Sequence, residues 1–312
     1  MKTVGIIGGS GFIGSHVTKR FLEEGYSVKV SATDISKAEK YRHLKLLPGA
    51  EKLEIAPLKV ENKAQLERFI EGCQIVIHGG TPFQLEFNDP KSELLDPTIR
   101  GTENFLKVIH ENGKVKKVVF IASVGAFNTN FPLPADGKAE YDKVSENTER
   151  FMSEESHPYA QAKFIANRTV QKFIADHPNP AFEISSVSPT MVMGRSLSKR
   201  EDSTSTGMQF LIKNHIAPND FMQALYDNDV ALAIVDVEDV AEAIFRLATT
   251  SGLHGKDYLL SSETYSISDV RSMLNNLKPK NKPKTVYQHQ LAEQDLKLEF
   301  KPVTQTLSNY SN

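Results

Sequence analysis

The chain has 312 residues, of which 39% are hydrophobic and 24% charged, and its formal net charge is −2. These values are ordinary for a soluble globular protein and exclude a chain too polar to bury a core. The nearly balanced charge gives no electrostatic reason to expect a nucleic-acid or membrane partner. A single cysteine, Cys73, excludes an internal disulfide and favours a reducing, cytoplasmic location.

The first predicted element is a buried strand, Val4–Ile7, which leads into a glycine-rich turn and then a segment with helical spacing. We predict that Gly8 takes the turn conformation, that Gly11 leaves room for phosphates and that Gly14 lets helix and strand pack closely. Backbone N–H groups at such a helix start can hold a pyrophosphate. This glycine turn (residues 8–14) therefore predicts dinucleotide binding, with contacts from Gly8, Ser10, Gly11, Phe12, Ile13 and Gly14.

Strands and helices alternate along the next part of the chain. The further predicted strands are Val28–Ala32, Leu53–Ala56, Cys73–His78, Val118–Ser123 and Glu183–Val187, and the predicted helices are Lys63–Glu71, Pro97–Asn112 and Pro158–Ala175. Such alternation implies right-handed crossovers between parallel strands. The predicted class is therefore α/β, with a Rossmann-type doubly wound parallel sheet and a smaller C-terminal substrate-binding lobe.

The later elements are less regular. The polar segments Asn128–Ser156 and Ser196–Gly207 are predicted loops at the ligand-binding ends of strands. Ala231–Val237 is predicted to return to the sheet, and Asp239 to cap the helix that follows it. We expect a dinucleotide-binding domain of residues 1–187 and 231–250 and a substrate-binding lobe of residues 188–230 and 251–312.

A second motif, Tyr159-Ala160-Gln161-Ala162-Lys163, follows Pro158, which suits the first turn of a helix. Tyr159 and Lys163 then lie one turn apart on one helix face. A free tyrosine has a pKa near 10, and we expect the lysine ammonium to lower it toward neutrality. Ser123 ends the fifth predicted strand and could donate to a substrate carbonyl oxygen. The three residues predict a catalytic set for hydride transfer.

Together with the glycine turn, these residues resemble an extended short-chain dehydrogenase/reductase of the epimerase/dehydratase superfamily. The resemblance is nearest to the group of dihydroflavonol reductase and cinnamoyl-CoA reductase. The motifs that carry it further are Ile77-His78-Gly79-Gly80-Thr81-Pro82, the segment from Asn88 to Asn104, and Ser188-Pro189-Thr190 through Gly194.

The resemblance implies a role for each of these residues. Tyr159 would protonate the carbonyl oxygen, Lys163 would bond the nicotinamide ribose and Ser123 would hold the carbonyl. Thr81 would contact both cofactor and substrate, Asn128 would face the substrate, and Pro189 would lie beside the nicotinamide. We expect His78 to be a packed strand-end histidine, and we expect no metal.

Three residues depart from the pattern of the group. Lys59-Val60 replaces an Asp-Leu pair that contacts adenine, which leaves Val60 as the expected cofactor contact. Arg195 occupies a place where proline is common, and Thr33 occupies the place of an arginine in the NADP-dependent members.

The choice between NAD and NADP depends on the residues at the end of the second predicted strand. An acid there would bind both ribose hydroxyls and repel a 2′-phosphate, and Asp34 lies near that place. Alignment on the strand instead puts Ala32 at the acid position. Thr33 and Lys40, with Ser10 and the nearby Lys37, are then plausible phosphate ligands, so we expect NADP and keep NAD as the alternative.

The expected function is reduction of a ketone or aldehyde with NAD(P)H, with tyrosine as the general acid. A nucleotide-sugar epimerase with retained NAD and a non-catalytic NADP-binding redox sensor are the alternatives. The expected partner is a small carbonyl substrate. A homodimer would use the helices at 97–112 and 158–175, which form the usual dimer surface in the superfamily.

Overall fold

The computed structural model describes residues 2–79, 89–178, 180–198, 203–308 and 310. Within these ranges, no helix combines the length and apolar character that crossing a bilayer requires. The strands are Thr3–Ile7 (β1), Ser27–Ala32 (β2), Leu53–Pro57 (β3), Ile75–His78 (β4), Lys117–Ile121 (β5), Glu183–Pro189 (β6), Met191–Met193 (β7), Ala231–Asp236 (β8), Asp257–Leu260 (β9) and Glu263–Ser266 (β10).

Helices separate most of these strands. They are Phe12–Glu23 (α1), Arg42–Lys45 (α2), Lys63–Ile70 (α3), Asp96–Asn112 (α4), Pro158–Asp176 (α5), Thr204–Asn214 (α6), Asp220–Asp227 (α7), Val237–Thr249 (α8), Ile267–Leu274 (α9), Gln290–Leu296 (α10) and Val303–Ser308 (α11). The three helices predicted with bounds are therefore present, with ends that differ from the predicted ones by at most one residue.

Seven strands form one parallel sheet in the order β3-β2-β1-β4-β5-β6-β9. The central strands β4 and β5 are buried along their whole length, as expected for strands covered by helices on both faces. The order reverses between β1 and β4, so the carboxyl ends of these strands open a crevice. The predicted Rossmann-type α/β fold is confirmed.

The predicted return of Ala231–Val237 to the parallel sheet is wrong. This segment forms β8, the centre of a separate three-stranded sheet in the order β10-β8-β7, and β9 takes the seventh place in the main sheet instead. An apolar run of this length is compatible with either sheet, because both faces of β8 are buried. The division into a dinucleotide-binding domain and a lobe stays a prediction.

Two local predictions also need correction. The N-cap of α8 is Asp236, whose carboxylate accepts from the N–H of Glu238 at 2.7 Å, whereas Asp239 lies inside the helix and accepts from the N–H of Lys301 at 2.7 Å. The motif from Ser188 to Gly194, which the resemblance places in a loop after the sixth strand, is mostly strand instead, since β6 extends to Pro189 and β7 begins at Met191. Residue 190 alone separates the strands.

Candidate active site

The glycine turn has the predicted backbone geometry. Gly8 has φ of +81°, and a Cβ placed on Gly14 would lie 2.1 Å from the carbonyl oxygen of Gly8. A Cβ on Gly11 would lie 3.4 Å from the same oxygen, which is an ordinary contact. The backbone of the turn thus favours glycine at position 8 and leaves no room for a side chain at Gly14, whereas a Cβ on Gly11 would clash with nothing.

The turn ends at the N-terminus of α1, where the chain offers main-chain donors and no opposing charge. Gly11 caps the helix without a side-chain hydrogen bond, and no acidic residue lies in the first turn. Both features suit a pyrophosphate, because unpaired N–H groups and the positive end of the helix dipole attract an anion. The residues present therefore fit the diphosphate of a dinucleotide.

Two further side chains fix this turn. The hydroxyl of Ser31, at the end of β2, accepts from the N–H of Gly8 at 2.9 Å. The hydroxyl of Ser15 donates to the carbonyl of Gly11 at 2.7 Å and contacts Nε2 of His43 at 2.8 Å. Sequence reasoning missed Ser31 and His43, although the position of Ser31 one residue before Ala32 was a usable signal.

The end of β2 carries the residues that bear on cofactor choice. Ala32 is buried, whereas Thr33 and Lys40 are exposed. The carboxylate of Asp34 accepts from the N–H and the hydroxyl of Ser36 at 3.0 and 2.6 Å. These bonds, with the charges of Lys37 and Lys40, hold the pKa of Asp34 below its ordinary value. Asp34 is therefore already engaged by its own loop.

Ser123 follows β5 at the carboxyl edge of the sheet. Its hydroxyl accepts from the N–H of Gly125 at 3.2 Å and caps the short turn Val124–Ala126. This turn, which we call the Ser123 turn, packs on the first turn of α5, because a Cβ on Gly125 would lie 3.5 Å from Cα of Ala160. Ser123 is thus brought to the helix that bears Tyr159.

Lys163, on the same helix as Tyr159, contacts the end of β5. Its Nζ donates to the carbonyl of Ile121 at 3.4 Å and lies 5.8 Å from the centre of the Tyr159 ring. The predicted start of α5 is confirmed, since Pro158 is its first residue and His157 accepts from the N–H of Tyr159. Ser123, Tyr159 and Lys163 therefore converge on the end of β5.

The expected lowering of the pKa of Tyr159 is not found. Burial raises the pKa of Tyr159 to about 12 and lowers the pKa of Lys163 to about 8. Both shifts have one cause, since a buried site disfavours the charged form of either group. The prediction weighed only the attraction between phenolate and ammonium and left out the desolvation of both.

His78 is a packed strand-end histidine, as predicted. Its ring centre lies 4.4 Å from that of Phe105 and 5.0 Å from that of Phe120. Burial, with the nearby charge of Lys163, lowers the pKa of His78 to about 3, so its imidazole is neutral at physiological pH. Its packing and neutrality favour a structural role over acid or base work.

The other predicted cofactor contacts lie at the same edge of the sheet, as far as they are described. Pro189 is the buried last residue of β6, and Val60 follows β3 and is half-buried. Thr81, with Gly80 and Pro82, lies outside the described residues. These roles stay predictions.

Asn128 is buried in the loop that follows the Ser123 turn. Its side-chain amide donates to the carbonyl of Leu133 at 2.8 Å and its oxygen accepts from the N–H of Asn130 at 3.0 Å. A cavity of about 260 Å³ lies beside it, lined in part by Phe151 and Tyr287. Ser123 and Tyr159 are not among the described residues that line this cavity, so a substrate contact by Asn128 stays a prediction.

A parallel sheet of this order, with a glycine turn after its first strand, defines the Rossmann-type class of dinucleotide-binding proteins. Within that class, residues 4–261 match the model of the NAD dependent epimerase/dehydratase family. The chain belongs to this family. The resemblance to the extended short-chain dehydrogenases/reductases is thereby confirmed.

Two curated relatives are plant reductases. The chain is 27% identical over 276 residues to dihydroflavonol 4-reductase of Hordeum vulgare, covering 88% of this chain and 74% of that protein. It is 27% identical over 294 residues to a (2S)-flavan-3-ol-forming anthocyanidin reductase of Vitis vinifera, covering 91% and 83%. These relatives confirm the expected group and, at the level of enzyme class, an oxidoreductase.

Solved structures share the fold. The NADPH complex of Gre2 from Candida albicans has a TM-score of 0.82 at 22% identity and covers 100% of this chain and 98% of its own. Yeast methylglyoxal/isovaleraldehyde reductase Gre2 with NADPH has a TM-score of 0.79 at 21% identity, covering 98% and 96%. UDP-glucose-4-epimerase from Stenotrophomonas maltophila has a TM-score of 0.77 at 14% identity, covering 99% and 96%. At these identities the likeness concerns the fold alone.

Proposed function

We propose that this protein reduces the carbonyl group of a ketone or aldehyde with NADPH, and that Tyr159 is the general acid. The observation that carries the proposal is the convergence of Ser123, Tyr159 and Lys163 at the end of β5, in the sheet whose first strand leads into the glycine turn. When bound, the dinucleotide supplies the hydride. The protein must then hold the carbonyl and provide one proton.

The raised pKa of Tyr159 suits an acid. With a pKa of about 12, the phenol stays protonated at every physiological pH and is ready to donate. The oxygen of a carbonyl that has gained a hydride is an alkoxide, which is more basic than a phenolate, so the proton moves downhill. Its transfer leaves a phenolate in a buried site.

Lys163 and Ser123 would support that transfer. With a pKa of about 8, Lys163 remains largely an ammonium near pH 7 and can stabilise the phenolate one helical turn away. The same side chain is the proposed ligand of the nicotinamide ribose. The hydroxyl of Ser123 would donate to the carbonyl oxygen, where negative charge develops.

We favour NADPH over NADH because of the end of β2. Oδ1 of Asp34 already accepts from the N–H and hydroxyl of Ser36, and its Oδ2 lies 3.9 Å from Nζ of Lys37, so these contacts compete with a ribose for the carboxylate. Exposed Thr33 and Lys40 could contact a 2′-phosphate. Two relatives in fold were solved as NADPH complexes, which agrees with this choice.

A nucleotide-sugar epimerase is the second candidate, favoured by the family and by the fold shared with UDP-glucose-4-epimerase. Such an enzyme retains its dinucleotide, which begins and ends each cycle in the oxidised form. A non-catalytic redox sensor has no need of the Tyr159–Lys163 pair. Cytoplasmic location and a homodimer through α4 and α5 stay predictions.

The test is a screen of aldehydes and ketones, including dihydroflavonols and short aliphatic carbonyls, with loss of NADPH or NADH absorbance as the readout. We expect at least one carbonyl to be turned over faster with NADPH, and Tyr159→Phe to lower kcat by about a hundredfold or more. NAD that stays bound through purification, with no oxidation of added NADPH, would favour the epimerase instead. Near-full reductase activity of Tyr159→Phe would remove Tyr159 as the acid.

A further inference from the structure

We infer that Arg150, Asn167 and Asp257 form a bracing network whose task is to position the Ser123 turn against the helix that carries Tyr159 and Lys163. None of the three residues belongs to a motif that predicts catalysis. The inference rests on the proposed function, because positioning matters only if those groups react. It concerns positioning residues, which act through Ser123, Tyr159 and Lys163.

Arg150 is the centre of the network. Its Nη1 donates to the carbonyl of Ala126 at 3.1 Å and to Oδ1 of Asn167 at 2.6 Å, and its Nη2 donates to Oδ2 of Asp257 at 2.8 Å. The guanidinium also lies over the ring of Phe127, 4.1 Å from its centre. One side chain therefore grips the last residue of the Ser123 turn, the helix and a strand of the main sheet.

Asn167 extends the catalytic face of α5. It follows Lys163 by four residues, as Lys163 follows Tyr159, so the three side chains lie on one helix face. Asn167 is fully buried, and its amide donates to Oδ2 of Asp257 at 3.0 Å while its oxygen accepts from Arg150. These bonds fix the rotation of α5 about its axis, and that rotation aims the two catalytic side chains.

Asp257 ties the network to the sheet. It lies in β9, and its Oδ1 accepts from the hydroxyl of Ser188 in β6 at 3.1 Å. Ser188 immediately precedes Pro189, the residue expected beside the nicotinamide. The network therefore links the Ser123 turn, the helix α5 that carries Tyr159, and the end of β6 where the nicotinamide is expected. It does so although Arg150 and Asp257 are 107 residues apart in the sequence.

The network depends on the planar shape of the Arg150 guanidinium and not only on its charge. The side chains of Arg150 and Asp257 are only 18% and 6% exposed, so solvent screens the pair weakly. A lysine could neutralise Asp257, but its ammonium is a compact point charge and lacks the planar fork that serves three acceptors at once. Arg150→Lys therefore keeps the positive charge but loses the planar fork, so this one substitution separates the effect of charge from the effect of positioning.

The chain also offers a matched control. Lys117 pairs with Glu183 at the opposite end of the same sheet, where β5 and β6 begin, and Lys117 is buried. This pair joins strands without contacting the Ser123 turn or α5 in any described hydrogen bond. Its loss should lower stability and leave catalysis alone.

The experiment compares Arg150→Lys and Arg150→Met with Glu183→Gln in the full-length protein. We expect Arg150→Met to lower both the melting temperature and kcat. Arg150→Lys should recover much of the melting temperature yet keep kcat at least tenfold below wild type, since small misplacements of reacting groups are costly. The Kd for NADPH should change much less than kcat, because the glycine turn is untouched and only the proposed contact of Lys163 with the ribose is disturbed. Glu183→Gln should melt earlier with kcat within about twofold of wild type.

Full recovery of kcat by Arg150→Lys would overturn the inference, because charge alone would then suffice. An equal loss of kcat in Glu183→Gln, measured well below its melting temperature, would overturn it too. Asn167→Ala removes two hydrogen bonds of the network and leaves the ion pair of Arg150 with Asp257 in place, so it keeps the test decisive if the arginine variants do not fold. Like the arginine variants, Asn167→Ala should lower kcat.

A readout that needs no substrate separates this inference from the proposed function. Amide hydrogen exchange at residues 124–126 and 158–163 should speed up at least tenfold in Arg150→Lys and stay unchanged in Glu183→Gln. If the wild type reduces no carbonyl but this pattern holds, the proposed function fails while the bracing network stands. Unchanged exchange in Arg150→Lys would overturn the network even in an active enzyme.

Discussion

The glycine turn and the proposed catalytic corner (Ser123, Tyr159 and Lys163) lie at the same edge of one sheet but are built differently. The turn uses main-chain groups from one short stretch, and its critical distances join residues six positions apart, as between Gly8 and Gly14. The corner uses side chains from separate segments, held by contacts such as that of Lys163 with Ile121 across 42 residues. A substitution in the glycine turn should therefore act through steric clashes with the backbone. A substitution in the corner should act through the charge and the orientation of the side chains.

Of the substitutions in these two regions, Gly14→Ala should have the largest effect on cofactor binding and stability. The new Cβ would lie 2.1 Å from the carbonyl oxygen of Gly8, a backbone atom that cannot move without opening the turn. We expect loss of measurable NADPH binding and a fall in the free energy of unfolding of about 3 kcal/mol or more. Calorimetric titration and chemical denaturation would measure the two.

Gly11→Ala is the control for that experiment. Its Cβ would lie 3.4 Å from the same oxygen, so the protein should keep its melting temperature and lose affinity for the dinucleotide alone. A Gly14→Ala protein with wild-type melting temperature and affinity would mean that helix and strand need not pack so closely.

Lys163→Met sharpens the comparison because activity and stability should move in opposite directions. The pKa of Lys163 is about 8 in the folded protein, below its ordinary value near 10.5, so the native state binds fewer protons than the unfolded state between these values. The burial penalty is fully present below about pH 8 and fades as pH rises toward 10.5. Removing the lysine should stabilise the protein without cofactor at pH 7 by up to about 3 kcal/mol.

The same variant should lose about a hundredfold in kcat and bind NADPH more weakly, because the lysine is proposed to serve both Tyr159 and the ribose. Melting temperatures from pH 7 to 10 would show a smaller rise for Lys163→Met than for wild type. Lys172→Met, on an exposed part of α5, should change neither property. A destabilised Lys163→Met protein at pH 7 would contradict the burial argument.

The smallest expected effects concern the charges at the end of β2, between the two regions. Thr33→Arg should tighten NADPH about tenfold, since one good contact to a phosphate gives about that factor, and should leave NADH unchanged. Lys40→Ala should weaken NADPH by less, because an exposed lysine is a flexible charge screened by salt. Michaelis constants for both cofactors at two salt concentrations would measure these changes.

Asp34→Ala tests the alternative. Because Ser36 holds this carboxylate, we expect little change in the Michaelis constant for NADH. A wild type that prefers NADH, and loses that preference in Asp34→Ala, would show that Asp34 binds the ribose.

The sequence by itself determined the parallel sheet, the glycine turn and the helix that presents Tyr159 and Lys163. These depend on local patterns, namely buried apolar runs, glycines before a helix and a four-residue spacing, which act within one or two turns of chain. The packed state of His78 was likewise predicted from its place at the end of an apolar strand.

Only the tertiary structure decided which sheet receives β8, which acid caps α8 and which way burial moves the pKa of Tyr159. Sheet membership depends on partners far along the chain, and desolvation depends on everything that packs around a group. Arg150 and Asp257 illustrate the same limit, because nothing near either residue in the sequence indicates that they meet. Side-chain networks join segments through space, whereas sequence patterns report only on neighbours along the chain.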